Sequence, residues 1–328
     1  MHFAIIGQGL AGSALAIQTA KRGHEITCFD LNVANSSSRV AIGLVNPLVL
    51  KNKTLFDPSQ VYFNYFDRFF KGISKLFGRD FLSRNLIREV LQEKQEIHNW
   101  NSLQNNSKFD SCIGPIENLN IPTIKGIGMG IIKNSCRLDI KSYLKTIREW
   151  LKENHHLRDE RVDSIRLIGE NILVNDEKYD GLLLAEGVEA YWTEKIFGKL
   201  DLSPTKGEGI IIKSRKSNFD FPIHRNIFLL PEKKNIYTVG STFNRNFSLQ
   251  SPSAEGKESL IKDLSKLFLD DYEVIDHWAG IRPTTKSRKI CFGWHTKYKN
   301  VGFLNGLGTR GALTSPFYSN HLLSIHSK

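Results

Sequence analysis

The run Gly7-Gln-Gly9-Leu-Ala-Gly12 has the spacing GxGxxG. It follows a short apolar stretch, Phe3-Ala-Ile-Ile, and opens Ser13 to Arg22, which has helical spacing and is closed by Gly23. A second apolar run from Glu25 ends in an acid, Asp30. Each residue type in that order has a use. Gly7 permits a tight turn, Gly9 lets the backbone approach a pyrophosphate, and Gly12 lets the helix pack close to the strand. The helix N-terminus attracts phosphates, and the carboxylate of Asp30 can bind a ribose hydroxyl pair. The pattern predicts a dinucleotide site formed by Gly7, Gly9, Leu10, Ala11, Gly12 and Asp30. NAD and FAD share this fingerprint, so it does not choose between them.

A second concentration of unusual residues lies near the C-terminus. Trp278-Ala-Gly280-Ile-Arg282-Pro283 precedes Asn305-Gly306-Leu-Gly308-Thr309-Arg310-Gly311, which sits between a strand pattern, Val301 to Leu304, and a helix running to the end. Such a turn can aim backbone N–H groups at an electron-rich ligand. Other constellations are not expected. Cys28, Cys112, Cys136 and Cys291 form no CxxC pair, and His155-His156 is read as a helix end. No metal cluster and no Ser/His/Asp arrangement is expected.

These residues need elements to hold them. Asp57 to Phe77 carries aromatics at helical spacing, expected as a packed helix face rather than a base-stacking platform. Residues 78 to 136 mix helical and loop signals. Leu138 to Asn154 is predicted to be an amphipathic helix, and strands are expected from Arg161-Val162, over Ile172 to Val174 and over Gly181 to Leu184, the last reaching Ala185-Glu186-Gly187. Glu208 to Lys213, Ile227 to Leu230 and Ile236 to Ser241 read as strands of an antiparallel sheet, and Lys257 to Leu269 as a helix. The nucleotide-fold signals are therefore split by antiparallel strands, which implies two interleaved domains.

Composition sets the outer bounds. The 328 residues are 40% hydrophobic and 24% charged, which excludes a disordered chain, a collagen-like fibre and a disulfide-stapled miniprotein. Net charge is 45 − 34 = +11, compatible with a nucleic acid, an anionic membrane surface, an anionic ligand or merely a lysine-rich surface. Phe3 to Ala20 is uncharged and ends its glycine run in Ala-Gly-Ser-Ala-Leu-Ala, yet no Lys or Arg precedes it, so it reads as the nucleotide unit rather than a signal peptide. No other stretch approaches the ~18 apolar residues of a membrane span. A soluble, cytoplasmic protein is expected.

Taken in order, these motifs resemble the FAD-dependent D-amino acid oxidase-like family, which contains glycine oxidase and sarcosine oxidase. The likeness covers nearly the whole chain. The glycine turn and Asp30 fit, and Ser38-Arg39-Val-Ala-Ile-Gly43 through Pro47 is similar to the family loop along the flavin. Leu138-Asp139 with its helix, Val162, Tyr179-Asp180 to Gly187, Gly280-Ile-Arg282-Pro283 and the last glycine motif also fit. The final segment, Gly308 to Pro316, together with Arg39, is nearest a branch that forms the oxidoreductase half of a bifunctional tRNA-modifying enzyme. The chain departs from the family at Ser287, Cys291 and Leu307, and because residue 1 is read as already beginning the flavin unit, no methyltransferase domain is expected.

The resemblance implies an α/β fold. A Rossmann-like FAD-binding domain (1–50, 125–200 and 280–328) would interleave with an antiparallel-sheet substrate domain (51–124 and 201–279). It implies non-covalent FAD held by Gly7, Gly9, Leu10, Ala11, Gly12 and Asp30, with Ser38, Arg39, Gly43, Val162 and Gly187, and with Gly308, Thr309, Arg310 and Gly311. FAD takes a hydride at N5 from the carbon beside an amine, and the resulting imine is hydrolysed. Such chemistry needs a carboxylate anchor, which a guanidinium fork matches bidentately. Arg282 is the expected anchor and Arg310 the runner-up, although Arg310 is better placed to support a loop. The implied reaction is oxidation of a C–N bond next to a carboxylate in glycine, a D-amino acid or an N-substituted glycine. Two alternatives stay open: removal of the carboxymethyl group of 5-carboxymethylaminomethyluridine in tRNA, and flavin binding without turnover. The expected partner is a small amine or amino acid, with tRNA open and DNA not expected.

Overall fold

A computed structural model describes residues 1–56 and 59–326. Two large sheets dominate it. The first has six strands in the order His156–Arg158, Glu25–Phe29, His2–Ile6, Gly181–Leu184, Val301–Asn305, Cys291–Trp294. All neighbours are parallel except the last pair. A parallel strand is covered on both faces and so reads as a continuous apolar run. Phe3-Ala-Ile-Ile and Leu182-Leu-Leu are that kind of run, and they are buried side by side.

The helix Leu10–Ala20 lies against this sheet and is buried almost all round. Gly23, at φ +78°, turns the chain back into Glu25–Phe29. The aromatic helix spans Ser59–Phe77, and Asp57 lies outside the described residues. Its Phe63, Phe66, Phe70 and Ile73 join Phe3, Ile5 and Leu15 in one core, so the stripe is a packed face. The helix thus packs with the six-stranded sheet. Asp139 caps the helix Ile140–Asn154 by accepting the N–H of Ser142 at 3.0 Å. Leu138 precedes that helix in a short strand, Cys136–Leu138.

The second sheet has eight strands: Tyr272–Arg282, Thr205–Ser214, Ile236–Gly240, Ile227–Lys233, Ile223–Arg225, Ile87–Leu91, Gly128–Ile132 and Ile113–Glu117. It is antiparallel but for one parallel pair, Ile223–Arg225 with Ile87–Leu91. Three of its strands come from the ambiguous stretch 78–136, so Gly128–Ile132 belongs to this sheet. The expected strand at Arg161-Val162 is instead irregular chain between His156–Arg158 and Ile165–Ile168. The helix expected over 257–269 runs Ala254–Leu264, started by the Ser253 side chain. The last helix is Gly311–His326.

Among the described residues, no helix is long and apolar enough to cross a membrane, and no metal-binding cluster of His, Cys, Asp or Glu is present.

Candidate active site

A cavity of about 770 Å³ runs between the two sheets. One end is the N-terminal glycine turn. Gly7 sits at φ +94°, a conformation that disfavours any side chain. A Cβ on Gly12 would lie 1.7 Å from the Gly7 carbonyl oxygen, so Gly12 is a packing residue and does not line the cavity. Gly7, Gly9, Leu10 and Ala11 do line it. A Cβ on Gly9 would come within 2.8 Å of Ser38 Oγ, which accepts the Leu10 N–H at 3.1 Å.

Asp30 lines the cavity at the end of its strand, as the spacing predicts. Its carboxylate also accepts the N–H of Gln8 at 2.9 Å and of Asn32 at 2.8 Å, and pairs with Arg148 at 3.0 Å and Arg39 at 3.4 Å. Arg39 is thus turned onto Asp30 and Gln8 and does not line the cavity. Arg148, on the helix Ile140–Asn154, has no motif to mark it. Ser38, Gly43, Val162 and Gly187 all line the cavity.

The second glycine turn, Gly308, Thr309, Arg310 and Gly311, forms a further wall and opens the last helix there. Arg310 donates to the backbone carbonyls of Asn46 at 3.0 Å and Leu48 at 2.8 Å, and lies 4.0 Å from the Phe56 ring centre. Burial pushes its pKa down to about 10, so it remains a cation at neutral pH. It ties the loop of residues 46–48 to the turn, which is a supporting position.

Arg282 lies at the end of Tyr272–Arg282 in the same cavity. Its Nη2 donates to Ser241 Oγ at 2.6 Å and its Nη1 to the Thr242 carbonyl at 3.2 Å. These partners are neutral, and no carboxylate pairs with it among the described residues. Desolvation pushes its pKa down to about 10. The guanidinium rests over Gly207, where a Cβ would lie 2.1 Å from Nη2. Phe243 stands 5.9 Å from the guanidinium carbon and is 56% exposed at the rim.

One rung of the eight-stranded sheet completes this wall. Glu89, His224, Phe228, Gly240, Gly209 and Trp278 are successive register partners. His224, Phe228 and Trp278 line the cavity. Sequence reading missed His224, and it missed Glu89 too, which lies in the ambiguous stretch 78–136.

The model of the FAD dependent oxidoreductase family matches residues 2–323. The chain belongs to this family. Glycine oxidase of Bacillus subtilis (strain 168) is 28% identical over 146 residues, which is 41% of this chain and 38% of that protein. The tRNA 5-methylaminomethyl-2-thiouridine biosynthesis bifunctional protein MnmC of Legionella pneumophila (strain Corby) is 25% identical over 303 residues, covering 85% of this chain and 43% of that one. The match thus spans less than half the length of either relative. The crystal structure of iminodiacetate oxidase from Chelativorans sp. BNC1 superposes with a TM-score of 0.79 at 17% identity, covering 98% of this chain and 95% of that one. That likeness shows the fold.

The residues present fit FAD, the cofactor of the family. The glycine turn leaves a side-chain-free approach beside a helix N-terminus, as a pyrophosphate needs. The second turn brings another helix N-terminus to the same cavity, suited to an electron-rich ring edge.

Proposed function

We propose that this FAD-dependent oxidoreductase oxidises the C–N bond of a glycine unit, as free glycine or an N-substituted glycine, with D-amino acids as the wider class. The observation that supports this reading is Arg282, a cation in the cavity wall whose hydrogen-bond partners among the described residues are neutral. A buried charge of this kind calls for an anion, and a planar guanidinium suits a carboxylate. Bound FAD supplies the two-electron acceptor. The chain's own residues bind the carboxylate at Arg282, exclude water with Trp278 and Phe228, and hold the amine between the two sheets. The test is an anaerobic absorbance screen of the purified flavoprotein against glycine, sarcosine, iminodiacetate and D-alanine. Bleaching by at least one is expected. If none bleaches it, the reading fails.

A second reading is supported by the extent of the MnmC match, 85% of this chain, and by the exposed Phe243 at the rim. There the glycine unit would be carried on a wobble uridine of tRNA. Carboxymethylated uridine accumulating in tRNA from a strain lacking the chain would favour it. Unchanged tRNA with bleaching by free amino acids would remove it.

A further inference from the structure

Glu89 and His224 lie 135 residues apart in sequence, yet they are register partners in the parallel pair of the eight-stranded sheet. Both are buried, and His224 Nδ1 bonds Glu89 Oε2. A carboxylate can only accept, so Nδ1 carries the proton. Nε2 is then left with a lone pair, and it has no hydrogen-bond partner among the described residues. The imidazole lines the same cavity as Arg282, with the Phe228 ring 4.5 Å away. Lys53, from the hairpin over this end of the sheet, stands 3.6 Å from the other oxygen of Glu89.

The charged groups around the imidazole are therefore Glu89 on the adjacent strand and Lys53 on the covering hairpin, with Arg282 further along the cavity. Phe228, on the other neighbouring strand, is neutral. A Glu–His pair on a buried strand could serve packing alone. Packing, however, gives no reason to present the free nitrogen to a cavity.

The proposed substrate supplies such a reason. An alkyl amine, like a lysine side chain with a pKa of about 10, is an ammonium at neutral pH. Its nitrogen lone pair is tied up, and that pair must be free for the neighbouring carbon to lose a hydride. Building on the proposed oxidation of a glycine unit, we propose that His224 accepts the proton of the substrate amine and that Glu89 positions its ring. The N–H bond of the ammonium breaks and its electron pair stays on the substrate nitrogen. The proton goes to His224 Nε2, and the resulting imidazolium faces the Glu89 carboxylate. The Nε2 lone pair forms the new N–H bond, and no atom changes oxidation state in this step. Lys53 balances Glu89 in the resting state.

The test uses the holoenzyme. Flavin reduction by sarcosine is followed anaerobically from neutral to alkaline pH for the parent, His224→Gln and Glu89→Gln, with FAD content measured for each. In the parent the rate rises with pH through one ionisation. His224→Gln is expected to be slower by roughly 100-fold at neutral pH, as for loss of a general base. That gap should close at alkaline pH, where the amine has already lost its proton. Glu89→Gln should keep its FAD and shift the profile along the pH axis. A His224→Gln profile like the parent's overturns the proposal, and so does a deficit that is the same at every pH, which marks a structural role. Should His224→Gln fail to hold FAD, the parent's ring tautomer decides, read from nitrogen-15 spectra of histidine-labelled protein. Nδ1–H is expected, and Nε2–H overturns the proposal. Failure of every glycine-unit amine to reduce the parent is a different result, and it counts against the substrate reading. The tautomer measurement still judges His224 in that case.

Discussion

Arg282 and Arg310 are both arginines at the cavity with pKa values lowered by burial, and their partners separate their roles. Arg310 has a strong reason to be where it is without any ligand, because two backbone carbonyls fill its fork. Arg282 has one hydroxyl at 2.6 Å and one carbonyl at 3.2 Å, and among the described residues no opposite charge answers its own. Removing it should weaken transition-state binding by about 2–5 kcal/mol, the range for stripping one partner from a buried charge pair. In practice Arg282→Ala should lower kcat/KM steeply while FAD content stays near the parent's. Arg282→Lys should also be impaired, since an ammonium lacks the fork. The pH dependence follows from the depressed pKa. The guanidinium is charged below about 10 and loses its proton as pH rises through that value, so the parent's KM should climb on that alkaline side. The same climb should be missing from the alanine variant. A variant that keeps the parent's reductive rate would move the anchor to Arg310.

The elements around these residues were legible to different degrees. A strand, a helix and a second strand in direct succession leave a strong local pattern, so the glycine turn and Asp30 could be placed from sequence. The strands Ile113–Glu117 and Gly128–Ile132 could not, because Gly114, Pro115, Gly128 and Gly130 interrupt their alternation, and neither could Ile87–Leu91, where the adjacent charges Arg88 and Glu89 break it. Those strands are held by neighbours distant in sequence rather than by their own propensity. The Glu89–His224 contact was invisible for the same reason. Val162 reaches the cavity from irregular chain, without the strand expected there. Gly207 illustrates how an element positions a side chain. The strand Thr205–Ser214 offers a gap in which the Arg282 guanidinium lies, and a methyl group there would overlap it. Gly207→Ala should displace the guanidinium and raise KM by about tenfold or more, in keeping with an overpacking strain of about 1–3 kcal/mol. FAD content, measured by absorbance, should not change. An unaltered KM would mean that the guanidinium does not hold its observed place during binding.

For the whole molecule, the decisive feature is that the cavity is walled by both sheets and by the two glycine turns together. A ligand that needs all of these walls binds the folded chain and not the unfolded one. It therefore stabilises the fold by mass action, by about 2.7 kcal/mol at a hundred times its Kd. For a chain of 328 residues this corresponds to a rise in Tm of about 4 °C. Protein stripped of flavin should melt lower than the holoprotein, and its Tm should rise with the logarithm of added FAD. NADH at the same concentrations should leave Tm unchanged, because the family to which the chain belongs is FAD dependent. Gly9→Val provides the control. Even the first carbon of its side chain would meet Ser38 Oγ at 2.8 Å and crowd the approach to the helix N-terminus, so its Tm should ignore added FAD. If NADH raised the parent's Tm while FAD did not, the cofactor assignment would fall. If Gly9→Val responded to FAD as the parent does, the phosphates would have to lie away from this turn, and the second turn at Gly308 to Gly311 would become the place to look for them.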